Sequence, residues 1–236
     1  MNIAPALATS DEPVEDRAKA IRDSLRDAII DQRLAPGTKL SEADVGDLFS
    51  VSRTIARAAL QMLSFEGLVR NERNRGAFVA NPSPEEARQV FAARRVVEPG
   101  IMGQLAGRLA AEDVAGLRAH LEEEARLTRE RGPSARRAEI KTSGDFHLRL
   151  AALAGNAILL KFLEELVARS SLVIALYGRS GASSCAHGEH GRILDALNAG
   201  DGARAGELML RHIDHIEADL DLRLRKGRAL KDALER

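Results

Sequence analysis

The sequence predicts a mainly α protein in two parts: three helices closed by a β-hairpin, then an all-helical domain. Three observations carry this. Apolar residues recur at helical spacing in three runs before residue 66. Between Leu68 and Ala80 the pattern turns strand-like around a polar tip. Beyond Pro133 the chain has no proline, and aliphatic periodicity runs through most of its remaining length, free of the strongest helix breaker.

Residues 1–14 are small, polar and interrupted by proline, and are expected to form a disordered lead-in. From Glu15 a helical stripe begins, with Ile21, Leu25, Ala28 and Ile29 at i, i+4, i+7 and i+8. Pro36-Gly37 stops it. Ser41 suits the N-cap of a short second helix with Val45 and Leu48 inward. Val51-Ser52 turns into a third helix, Arg53 to Phe65, which points Ile55, Ala59, Leu60 and Leu63 inward and ends at Gly67. The hairpin comes next as Leu68 to Arg70, a tip from Asn71 to Gly76, and Ala77 to Ala80. The first domain is thus 15–80, and the proline-rich stretch 81–85 is a linker. Residues 86–228 form the helical domain, with loops near Gly132-Pro133, around Gly155, at Gly178 to Gly188 and at Gly200-Asp201-Gly202; 229–236 is a tail.

Composition narrows the function. The 236 residues carry 35 Lys and Arg against 35 Asp and Glu, so no global field draws the chain to a polyanion or a membrane. A 44% hydrophobic content supports real cores and excludes global disorder. One cysteine excludes a disulfide framework and a four-thiolate zinc site. Without a long apolar run or a signal-peptide pattern, the expectation is a cytoplasmic protein with no membrane partner.

Three helices and a hairpin in this order match a winged helix-turn-helix. The third helix opens with Ser52-Arg53-Thr54, and Arg57 lies one turn beyond Arg53. A helix N-terminus with a hydroxyl cap and two guanidiniums suits the major groove of double-stranded DNA. Its free N–H groups meet phosphate, and arginine forks take guanine O6 and N7. Residues 52–80 hold five arginines against two glutamates, a local net charge of +3. The tip, with Arg73, Arg75 and Gly76, is placed to straddle a backbone or probe a minor groove. The plain alternative is a solvated arginine face on a small domain.

Pro36-Gly37-Thr38-Lys39-Leu40-Ser41-Glu42, Val51-Ser52-Arg53-Thr54, Glu66-Gly67-Leu68-Val69 and Asn74-Arg75-Gly76-Ala77-Phe78-Val79 resemble the N-terminal domain of GntR-type transcription regulators. The chain departs from that pattern at Ile55-Ala56, usually Pro-Val, and at Ala58, usually Glu. The resemblance implies a dimer on a palindromic operator, with Arg53, Thr54, Arg57, Arg75 and Gly76 at the DNA.

In the second part three histidines sit on apolar helix faces: His147 beside Phe146 and Leu150, His190 with Ile193 and Leu194, and His212 with Met209 and Ile213. A buried imidazole must be hydrogen-bonded or metal-bound, since an unpaired one costs about 1–3 kcal/mol. A single such residue is usually a satisfied core histidine. Three on different helices also suit a shared divalent ion, with zinc and nickel the leading candidates. His120, His187 and His215 read as flanking or surface residues, although His187 or His215 could exchange with a ligand. Cys185 reads as a structural or exposed thiol.

Arg94-Arg95-Val96-Val97-Glu98, Phe146-His147, Gly155-Asn156, Glu189-His190 and His212-Ile213 resemble the C-terminal effector domain (FCD) of the FadR-like subfamily. That resemblance implies an antiparallel helical bundle with a central cavity, in which many members hold a divalent metal on one Asp and three His. The histidines map onto His147, His190 and His212. The Asp position is Ser143, one turn before His147, and Asp145 points about 200° away around the helix. Two outcomes are open: a metal on three His with a place for an effector's carboxylate, or a metal-free site where the histidines bind an anionic effector. Arg94 likewise has two readings, an i, i+4 pair with Glu98 or a fork for a small organic acid, with Ser143 and Asn156 beside it.

Three function classes remain. The first is a ligand-responsive regulator, a repressor in the simplest case. The second is a metal-dependent hydrolase on the three-His site, with Glu189 as an imagined base that points elsewhere on its helix. The third is a DNA-binding protein with an inert helical dimerisation domain, which leaves the inward histidines unexplained.

Overall fold

A computed structural model describes residues 13–130, 132–179 and 188–223. The lead-in up to residue 12, the tail 229–236, His187 and Cys185 lie outside the described residues. Helix α1 (Val14–Ile30) buries Ala18, Ile21, Leu25 and Ile29, the face that the spacing gives. Strand β1 (Lys39–Leu40) leads to Ser41, whose hydroxyl accepts the Asp44 amide at 3.0 Å and caps α2 (Glu42–Phe49).

Here one expectation is corrected. Leu48 is 67% exposed, and Phe49 is buried instead. Val45 and Phe49 share a face at i, i+4, and Ser50 in the left-handed region ends the helix at once. Ser52 caps α3 (Arg53–Phe65) through the Ile55 amide. Gly67, at φ +71°, turns the chain out of α3, a conformation that an L side chain rarely adopts.

Strands β2 (Val69–Glu72) and β3 (Gly76–Val79) pair antiparallel with Val69 opposite Val79 and Glu72 opposite Gly76. The tip is therefore shorter than expected, only residues 73–75, with Asn74 at φ 62°. Strand β1 adds to the far side of β3, giving the order β1-β3-β2. Two residues are too short to show an alternating pattern, so the sequence gives no sign of this strand.

Helix α4 (Pro84–Leu105) opens inside the expected linker with a capping box: Ser83 Oγ accepts the Glu86 amide at 3.1 Å and Glu86 returns the bond to Ser83 N–H. Pro99 lies within α4, and Gly202 gives the close approach that seats another helix against its C-terminal end, a Cβ there lying 3.0 Å from Ala106 Cβ. The bundle continues with α5 (Ala111–Arg129), α6 (Pro133–Leu153), α7 (Ala157–Tyr177), α8 (Glu189–Asn198) and α9 (Gly202–Ala218). Its core runs from Phe91 and Ile101 through Phe146 and Leu150 to Ile193, Met209 and Ile213.

The two domains touch. Ala168 and Leu172 of α7 belong to the core of the winged domain, and Ile30 of α1 belongs to that of the bundle. Lys141 pairs with Asp27 at 3.1 Å and Arg137 with Asp31 at 3.3 Å. The Tyr177 hydroxyl donates to the Pro82 carbonyl at 2.7 Å, tying the linker to the end of α7.

Candidate functional site

The DNA-binding candidates lie on α3 and the β2–β3 hairpin of the winged domain. Ser52, Arg53 and Thr54 are exposed at the start of α3, and Arg73 is exposed at the hairpin turn. Arg57, Arg75 and Gly76 line one concave surface together with Lys39, Gln61 and Asn71. Arg57 does not point free into that concavity. Its fork donates to both Glu42 oxygens at 2.7 and 2.8 Å, and this bond holds the Glu42 carboxyl below the usual carboxylate range. Arg75 is paired with Glu72 across the turn and lies over the Phe78 ring.

The second site is built in the bundle. α6, α8 and α9 bring His147, His190 and His212 together, with exposures of 2%, 3% and 0%. His190 Nε2 lies 3.0 Å from His212 Nε2, which lies 3.3 Å from His147 Nε2. Each Nδ1 is engaged by a buried carboxylate: His147 donates to Glu98 at 2.5 Å, His190 to Glu124 at 2.8 Å and His212 to Glu189 at 2.9 Å. Phe146 stacks on the His190 ring with centroids 4.1 Å apart and fixes its plane.

Those bonds assign the tautomers. With Nδ1 carrying the hydrogen, each neutral ring turns its Nε2 lone pair toward the other two. Burial is the main cause that pushes His147 down to about 4, against the pull of Glu98, and burial with the neighbouring histidines takes His212 well below its ordinary value. Glu98 is fully buried, which alone would raise it, yet Arg94 and His147 hold it down at about 2. Three lone pairs facing one another repel unless a cation lies between them. Nitrogens about 2.0–2.1 Å from one ion stand roughly 3.0–3.4 Å apart, so the donor set fits a divalent metal.

Beside the histidines is a cavity of about 10 Å³, room for barely one water, lined in part by Arg94, Ser143, His147, Ser170 and Ser171. Arg94 makes the i, i+4 pair with Glu98. Its Nε donates to Glu98 at 2.5 Å and its Nη1 to Ser170 Oγ at 3.0 Å, while its buried Nη2 has no partner among the described residues. Ser143 is buried one turn before His147.

Asn156 requires a correction. Its side-chain oxygen accepts the Leu159 amide at 3.1 Å, so it caps α7 and does not line the cavity. His120 bonds to the Thr142 carbonyl at 2.8 Å, and His215 to the second oxygen of Glu189 at 2.5 Å, so neither takes the place of a ring in the cluster. Glu189 also departs from expectation, since it faces inward to serve two histidines. Glu124 is a partner of the histidine cluster that sequence reasoning misses. Its one signal is a carboxylate on the apolar stripe of α5, with Leu117 and Leu121 at i−7 and i−3.

Known proteins agree with both halves. The FCD domain profile matches residues 89–215, and that of the gntR family of bacterial regulatory proteins matches residues 17–79. The HTH-type transcriptional regulator LutR of Bacillus subtilis is 28% identical over 201 residues, 78% of this chain and 92% of its own. The Uxu operon transcriptional regulator of Escherichia coli is 26% identical over 224 residues, covering 83% of each. A GntR transcriptional regulator structure from a Rhodococcus species aligns at TM-score 0.67 and 29% identity, over 86% of this chain and 96% of that one. Escherichia coli McbR/YncC aligns at TM-score 0.72 but 16% identity, over 85% and 95%, a likeness of fold alone. With the FCD match spanning more than half the chain behind a winged helix, the chain belongs to the GntR family of bacterial regulatory proteins, as an FCD-domain member that regulates transcription and is not an enzyme.

Proposed function

We propose that this regulator works in the cytoplasm as a homodimer on a palindromic operator, and that a small organic acid in the bundle modulates its DNA affinity. One observation carries the sensor half: three buried imidazoles aim their Nε2 lone pairs at one point, next to a buried arginine with an unused donor. His147, His190 and His212 hold a divalent ion there, zinc or nickel by the softness of an all-nitrogen set. When bound, that ion supplies Lewis acidity toward a carboxylate oxygen. Arg94 offers the second handle for the same anion, and Ser143, being neutral, leaves the acid as the charged partner.

The DNA half rests on α3 and the hairpin. A +3 segment offers too few phosphate contacts for tight binding, so two half-sites are needed. Ser52, Arg53 and Thr54 enter the groove first, Arg57 reads bases once released from Glu42, and Arg73, Arg75 and Gly76 track the backbone.

The test is metal analysis of the purified protein, a thermal-shift screen of small carboxylates, and a gel shift on its own upstream DNA with and without any acid that scores. The reading predicts bound metal and an acid that changes DNA affinity. A metal-free protein whose DNA binding ignores every acid would sink the sensor half.

A further inference from the structure

From Leu166 to its end, helix α7 has no exposed residue and is buried on two different faces. Val167, Ser170, Ser171 and Ile174 line the cavity beside the histidines. Ala168 and Leu172, turned well over 90° away on the helix, belong to the core of the winged domain. Arg169, between them, lays its guanidinium over Gly67 so closely that a Cβ there would collide with it. Gly67 is the residue that ends α3 and starts the hairpin. The same helix also holds the interdomain linker through Tyr177 and Pro82.

We infer that α7 is the transmitting element of this regulator: a single helix forms one wall of the bundle cavity and, through Ala168, Arg169 and Leu172, part of the winged-domain core and the cover over Gly67 at the end of the DNA-reading helix α3. The inference rests on the cavity being the effector site. A cavity of about 10 Å³ cannot admit an organic acid unless a wall moves. The wall facing Arg94 is α7, joined to it by the Ser170 bond. An acid that engages the Arg94 fork competes for that bond and displaces α7 outward. Cores respond to such a shift as packed bodies, so the far face of α7 carries it to Gly67 and the end of α3.

The chain contains its own probe for this. Gly144 of α6 faces α7, and a Cβ there would lie 2.9 Å from Val167 Cγ1. Gly144→Ala therefore wedges α6 from α7 with no ligand present. Hydrogen exchange on the full chain reads the result at the Leu68 amide, bonded to Leu63 at 3.0 Å, and the Ala80 amide, bonded to Leu68 at 2.9 Å. The expected outcome is exchange at these sites changed by about fivefold or more, the lower end of ordinary coupling between sites. Ser170→Ala adds no bulk, releases Arg94 from α7 and should change exchange at the same sites. It decides the matter alone if Gly144→Ala does not fold. Effects confined to α6 and α7, with both reporter amides at their wild-type rates, would overturn the inference. A carboxylate screen without a hit removes the effector reading instead, and leaves the response to Gly144→Ala standing.

Discussion

Nε2 of His190 faces Nε2 of His212 across 3.0 Å while a separate glutamate holds each ring from behind. Two neutral acceptors at that distance need something positive between them. The proposed cation site is thus built as much from carboxylates as from imidazoles.

Glu124→Gln should therefore weaken zinc retention about 10- to 100-fold, although Glu124 is the partner of a ring and not itself in the cluster. His190→Ala should abolish retention and remove the zinc-induced rise in melting temperature. Chelator competition measures both. Equal zinc affinity in Glu124→Gln and wild type would contradict the role given to the carboxylates.

Ser143→Asp should tighten zinc retention against the same chelator, because a charged ligand is added one turn before His147 on the buried face. The same substitution should blunt any effector response, since it occupies the acid's place. Weaker retention in this variant would show that Ser143 does not face the ion.

Without metal, the protein should lose stability as pH falls from about 6.5 toward 4. Unfolded, His147 and His212 take up protons near 6.5; folded, His147 resists until about 4, and His212 lies well below 6.5. Between those values the unfolded chain binds more protons, so acid favours unfolding. Glu98 adds a second loss only below its ordinary 4.5, as pH approaches 2. Thermal melts of zinc-free protein at about pH 7, 6 and 5 should show a falling midpoint, and a flat one would contradict the buried neutral tautomers.

Arg53→Ala should abolish operator binding and leave the melting temperature nearly unchanged, since Arg53 is exposed. Glu42→Gln should do the opposite to non-specific DNA affinity: it frees Arg57 and removes a negative charge, steepening the salt dependence by about one ion. Filter binding across a salt series separates the two. An unchanged slope would show that Arg57, once freed from Glu42, gains no phosphate contact.

The features legible in the sequence are those set by local chemistry. Ser41, Ser52 and Gly67 announce helix ends because caps are local, and the inward histidines show in the periodicity. The hidden features depend on distant partners. Strand β1 exists only because Lys39 and Leu40 lie opposite Phe78 and Ala77. Leu48 is inward on spacing, but in so short a helix Phe49 takes the buried place. Glu124 and Glu189 reach their histidines across 66 and 23 residues of chain, and no window of sequence joins them. Asn156 resembles an effector contact in its motif, yet the same residue type is an ordinary helix cap.

The chain has one tyrosine and no tryptophan, and that tyrosine is Tyr177, bonded to Pro82 at the seam between the domains. Beyond its weakly emitting phenylalanines, the protein thus carries one native fluorophore, bonded to the linker. Ultraviolet emission, usually a blurred average over many rings, here arises from one phenol whose hydrogen bond exists only while the linker lies against α7. Opening of that seam is observable in the untouched protein, without a label and without knowing the operator.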